Sequence, residues 1–80
     1  MIKKKIVSLA ELASGRSGLI KEFSGGRTFS LRLESMGIRT GKRAVKISGM
    51  PLRGPVVVQV GGTRIALGRR MAAKVMVELS

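Results

Sequence analysis

Residues Val56 to Leu67, VVVQVGGTRIAL, commit this chain to antiparallel β structure. Two β-prone runs flank Gly61-Gly62, and a two-residue glycine turn is the connection a tight hairpin needs. Alternation puts Val56, Val58 and Val60 on one face with Ile65 and Leu67, an apolar surface that must be covered. With 80 residues the chain supports one domain, 1–80, because two cores would each be too small to offset chain entropy without staples. Cysteine is absent, so no disulfide is available, and a reducing compartment is compatible with that.

Only one stretch has a clear helical period, Gly25 to Gly41, GGRTFSLRLESMGIRTG. Phe29, Leu33 and Met36 fall at i, i+4 and i+7 and share one face. Gly25-Gly26 opens the segment, Thr28 is placed to cap its first turn, and Gly37 follows the last periodic residue where a left-handed cap is cheapest. Two to three turns are marginal alone in water, so the stripe must be buried against the strands.

Around that helix the remainder reads as short strands. The basic segment 1–7 leads into Ser8-Leu9-Ala10-Glu11, a capping box, with Val7 and Leu12 at the staple positions and a short helix expected from Leu9 to Ala13. Ser17 to Ser24 is an imperfectly alternating strand, with Leu19, Lys21 and Phe23 on one side. Arg43 to Ser48 is another, with Val45 and Ile47 inward and Ala44 and Lys46 outward. Pro51 to Pro55 is a loop. One helical turn over Arg69 to Ala73 precedes a last strand, Lys74 to Leu79, with Val75, Val77 and Leu79 inward. About five strands with one or two short helices give a mainly β fold, a small closed barrel with the helix over one end.

The composition excludes most chemistry. Histidine and aspartate are absent, and Glu11, Glu22, Glu34 and Glu78 are the only carboxylate side chains, too scattered for a metal site or a paired acid and base. Serine without histidine, and no cysteine, leaves no activated nucleophile, so an enzyme is not expected. No phosphate-cradling glycine motif occurs. Phe23 and Phe29 are the only aromatics, which argues against grooves for proline-rich peptides and against base stacking on single strands. Met36 and Met76 read as packing, whereas Met50 and Met71 are freer to meet a protein partner.

Sixteen lysines and arginines against four acids give a net charge of +12, which attracts anionic partners. Nucleic-acid phosphates are one such partner, as duplex or folded RNA, since that contact needs only cations and backbone donors. Anionic lipid is another, through Lys3-Lys4-Lys5, at about 1 kcal/mol for each basic residue near a charged leaflet; this assists recruitment without anchoring. No run approaches the ~18 apolar residues of a membrane span. The opening residues resemble a signal peptide in charge, but Glu11 interrupts the apolar patch and they read as mature protein.

In order, Ser8-Leu9-Ala10-Glu11-Leu12, Arg32-Leu33-Glu34-Ser35-Met36-Gly37-Ile38, Pro51 to Pro55 and Gly62-Thr63-Arg64-Ile65-Ala66-Leu67 resemble the ferrous-iron-transport protein A family, FeoA. The likeness covers Ser8 to Leu79. Two turns where the family usually has Pro-Gly carry Ser14-Gly15 and Thr40-Gly41 instead, and Arg69-Arg70-Met71 stands where the family tends to place glutamates. The resemblance implies an SH3-like barrel, and it fits the lack of iron ligands, of a catalytic group and of a membrane span read from the residues, so no cofactor or metal is expected. It also implies a cytoplasmic accessory of bacterial ferrous iron uptake, a protein-interaction module acting on the membrane transporter FeoB through its GTP-binding domain or through neighbouring copies of the complex, at the inner face of the plasma membrane. On that reading Arg32, Met36, Gly37, Ile38 and Arg39 are the candidate partner contacts. The alternative for Leu33, Met36, Gly37 and Ile38 is that they serve only as core and cap, and the alternative function is a basic barrel binding nucleic-acid phosphates.

Overall fold

A computed structural model describes residues 5–49 and 54–79. Among them are six strands and two helices: β1 Ile6–Ser8, β2 Ser17–Phe23, α1 Gly26–Ser35, β3 Arg43–Gly49, β4 Val56–Val60, β5 Thr63–Leu67, α2 Arg69–Ala72 and β6 Val75–Leu79. They build one antiparallel sheet in the order β1-β6-β2-β3-β4-β5. The fold is mainly β, as expected, with one strand more than the five anticipated. That strand lies at the end of the basic segment 1–7, where three residues pair with β6 and Val7 packs on the core. The sheet also differs from a fully closed barrel: β1 and β5 are edges rather than partners. Brevity protects the first edge and the exposed Arg64 the second.

The core is the hairpin face read from the sequence, completed from the other strands. Val56, Val58, Val60, Ile65 and Leu67 are buried together with Leu9, Leu12, Ile20, Ala44, Val75 and Val77. Two bulges decide which residues of β2 and β3 join them. In β2 the register shifts between Ile20 and Glu22, so Ile20 and Phe23 turn inward around an extra Lys21. In β3 the expected phase is inverted: Ala44 and Lys46 are buried, Val45 is half-buried on the opposite face, and Ile47, also half-buried, is the extra residue at a second shift between Lys46 and Ser48. Burying a lysine is costly unless its ammonium is bonded, and Lys46 Nζ donates to the Ala10 carbonyl at 2.9 Å.

The N-terminal turn forms its capping box, the Ser8 amide donating to Glu11 Oε1 and the Glu11 amide to Ser8 Oγ, each at 3.2 Å. It does not continue as the helix expected over Leu9 to Ala13. After one turn the chain is drawn onto β3, the Gly15 amide donating to the Lys46 carbonyl at 2.7 Å and the Lys46 amide to the Arg16 carbonyl at 3.0 Å. Thr28 likewise does not cap α1; Gly25 is the N-cap and no side chain serves there. Phe29 does pack inward, edge-on to Phe23 with centroids 6.5 Å apart. Met71 lies half-buried against the core, and Met50 lies outside the described residues.

Strand β2 passes so close to β6 that only glycine fits at position 18. A Cβ there would lie 2.9 Å from Val77 Cβ and Cγ2. Gly62 is the opposite case, with no positive φ and open space where a Cβ would stand. Gly18→Ala is therefore expected to lower stability by about 1–3 kcal/mol. Gly62→Ala is expected to change it by no more than about 0.5 kcal/mol. Urea unfolding midpoints at matched slope measure both.

Candidate functional site: a basic cleft beside the helix corner

The C-terminus of α1 is closed by a Schellman motif. The Ile38 amide donates to the Leu33 carbonyl at 2.9 Å and the Gly37 amide to the Glu34 carbonyl at 3.0 Å. Gly37 holds φ +98°, a conformation that a residue with a Cβ rarely adopts. Leu33 and Ile38, the residues on either side of this corner, are fully buried. Gly37 thereby lies over β5, where a Cβ on it would stand 3.9 Å from Ile65 Cδ1. Beyond the corner the chain is tied to β2, the Gly41 amide donating to the Ile20 carbonyl and the Ile20 amide to the Lys42 carbonyl, both at 2.8 Å. These bonds fix the backbone that carries Arg39 and Lys42.

Facing that loop is the β4–β5 hairpin. Gly61 holds φ +62° and Gly62 has no positive φ, the pattern of a type II′ turn that suits the twist of the two strands. Gln59 braces it, donating from Nε2 to the Gly61 carbonyl at 3.3 Å and accepting from Arg64 Nε at 3.2 Å. Between the two walls lies a half-open cleft of about 320 Å³. Gly37, Arg39 and Lys42 form one side, and Val60, Gly61, Gly62 and Thr63 the other. Neither Arg39 nor Lys42 makes a side-chain hydrogen bond or ion pair among the described residues, and none of the four glutamates lines the cleft.

Of the five candidate contacts, the cleft gathers two, Gly37 and Arg39. Met36 is half-buried against the core beside them, and Ile38 is fully buried, with no surface to offer. Arg32 is exposed in the last turn of α1, where its charge complements the helix dipole, and it does not line the cleft. Lys42 and the hairpin residues were not among the expected contacts. Glycine-flanked basic residues in Gly37-Ile38-Arg39-Thr40-Gly41-Lys42 were the available signal for the first wall.

A second basic feature lies inside the sheet. Burial holds the Lys46 ammonium below its ordinary value of 10.5, and the nearby Arg69 charge pushes the same way. Its contacts are structural, joining β3 to the N-terminal turn. Among the described residues, no three histidine, cysteine, aspartate or glutamate side chains come together to hold a metal, and no helix is long and apolar enough to cross a membrane.

The described residues form a mainly β, SH3-like fold whose helix corner stands beside a basic cleft. The FeoA domain family model matches residues 7–79, and the chain belongs to that family. A Methanocaldococcus jannaschii protein whose name designates an Fe(2+) transport protein A is 37% identical over 70 residues, 88% of this chain and 83% of that protein. A fusion of Fe(2+) transport protein A with the Fe(2+) transporter FeoB from Porphyromonas gingivalis is 35% identical over 71 residues, 89% of this chain but 8% of the fusion. Among solved structures, an iron uptake regulatory protein, FeoA, superposes with a TM-score of 0.85 at 33% identity, covering 95% of this chain and 99% of that one. Stenotrophomonas maltophilia FeoA, described as a prokaryotic SH3 domain protein and solved with zinc, superposes at 0.76 and 28% identity, covering 89% and 88%.

Lys46 supplies a test of how the sheet is held. With its folded-state value below 10.5, the unfolded chain binds more protons between those two values, so the stability contribution of this residue rises as pH climbs through that window and is constant below it. Lys46→Met removes the titrating group. The difference in unfolding free energy, wild type minus variant, is expected to grow in favour of the wild type from neutrality towards 10.5. A pH-independent difference would show that the ammonium is not desolvated.

Proposed function

We propose that this chain is an accessory of ferrous iron uptake that docks on the GTP-binding domain of a FeoB-type transporter, at the inner face of the membrane. One observation carries the reading: in the P. gingivalis fusion, a stretch like this chain is part of the same polypeptide as the transporter. Joining two modules covalently raises their effective concentration towards the millimolar range, which makes even a weak contact between them persistent. The helix corner, fixed in its backbone, and the basic cleft beside it supply a surface for such a contact. The +12 charge speeds encounter with an acidic partner.

Two measurements test it. Deleting the gene is expected to slow growth when ferrous iron is the limiting source, with normal growth restored by the wild-type chain. The purified chain is expected to bind the isolated GTP-binding domain of its own transporter, with affinity falling gently as salt rises. Arg32→Glu in the complementing copy tests whether the outer face of α1 shares the contact. Absence of domain binding, together with tight duplex DNA or RNA binding whose affinity collapses with salt, would replace this reading with phosphate recognition.

A further inference from the structure

We infer that the cleft between the helix corner and the β4–β5 hairpin is a carboxylate-binding dock, occupied by an acidic side chain on a loop of the protein partner. The inference rests on the partner reading above and assigns its chemistry to particular atoms. Arg39 and Lys42 stand on one wall with no acidic partner among the described residues. Two like charges at the mouth of a shaped cleft raise the local potential, and one anion between them relieves it. The Arg39 guanidinium offers a planar fork matched to a carboxylate, while Lys42 supplies a compact second charge.

The opposite wall specifies what carries the anion. The exposed Gly61, Gly62 and Thr63 supply mostly peptide surface, above the largely buried Val60. That surface suits a stretch of polypeptide lying across the turn. A free phosphate needs several donors converging around it, whereas this cleft is half-open and carries its cations on one side. Gly62 adds a separate observation. Its backbone demands no glycine and no atom lies within 4 Å of where its Cβ would be, so the fold accepts a side chain at this cleft-lining position.

The same open position provides a test that leaves the fold intact. Gly62→Asp adds a carboxylate of the chain's own to the turn that lines the cleft, and Gly62→Ser adds a smaller polar side chain without charge. Calorimetry with the transporter's GTP-binding domain is expected to show about tenfold weaker binding for Gly62→Asp and for Arg39→Gln. Gly62→Ser and the distant Arg27→Gln are expected to stay within about twofold of wild type. In parallel, a glutamate-containing hexapeptide titrated into ¹⁵N-labelled chain should shift the Gly37, Gly61, Gly62 and Thr63 amides, and those shifts should vanish in Gly62→Asp.

The outcomes separate the two readings. Wild-type domain binding that Gly62→Asp and Arg39→Gln leave unchanged overturns the dock and keeps the accessory function. Peptide shifts without domain binding keep the dock and overturn the partner. Inorganic phosphate that saturates the same amides at lower concentration than the peptide overturns the carboxylate assignment.

Discussion

The Leu33 carbonyl, accepting the Ile38 amide across the Gly37 turn, is the bond on which the functional side of this molecule depends. Helix α1 has 10 residues, too few to persist in water without tertiary support. Its C-terminal closure converts the chain reversal into burial, because Leu33 and Ile38 enter the core on either side of an exposed glycine. The corner is therefore fixed by packing below and by backbone bonds within. The backbone beneath Arg39 and Lys42 inherits that rigidity through the next pair of bonds, which ties their loop to Ile20 of β2. A fixed backbone removes one part of the ordering cost of holding an anion, and the two exposed side chains carry the rest.

What the sequence disclosed about the fold follows from how strongly each signal depends on local geometry. The β4–β5 hairpin was legible because its turn and its alternation agree, and all five predicted inward residues are buried. The Phe29, Leu33 and Met36 stripe was legible for the same reason. Strand β3 was not. Val45 and Ile47 are more hydrophobic than Ala44 and Lys46, so a period-two reading chooses the wrong face. The lysine occupies the inner face because its long stem packs among apolar residues while its ammonium reaches the Ala10 carbonyl. That carbonyl lies 36 residues away in sequence, and no local pattern announces it. The imperfect alternation of β2 was itself the sign of a bulge, since one extra residue resets which side chains face inward.

The site divides along the same line. Gly37 and Arg39 lie within the segment that stood out for its helix and cap, and both line the cleft. Ile38 lay in the same segment and is buried, because the residue after a Schellman glycine packs back against the helix it follows. The hairpin turn that makes the opposite wall was correctly placed as a turn. Its role as a wall depends on Gly37 lying over Ile65, a contact between segments that a linear pattern does not encode.

Charge and site have separate tasks in this small protein. A net +12 draws in any anionic surface, whether acidic protein, phosphate backbone or lipid, and so raises encounter rates without selecting among them. Fold does not select either, since one architecture hosts unrelated functions. Discrimination must come from groups with fixed positions and unmet bonding capacity. Lys46 is a fixed cation whose ammonium already has its acceptor, so it contributes to holding the sheet. Arg39 and Lys42 are fixed through their backbone and have no partner among the described residues. An incoming carboxylate therefore gains most between those two, next to a glycine turn that leaves room for the chain carrying it.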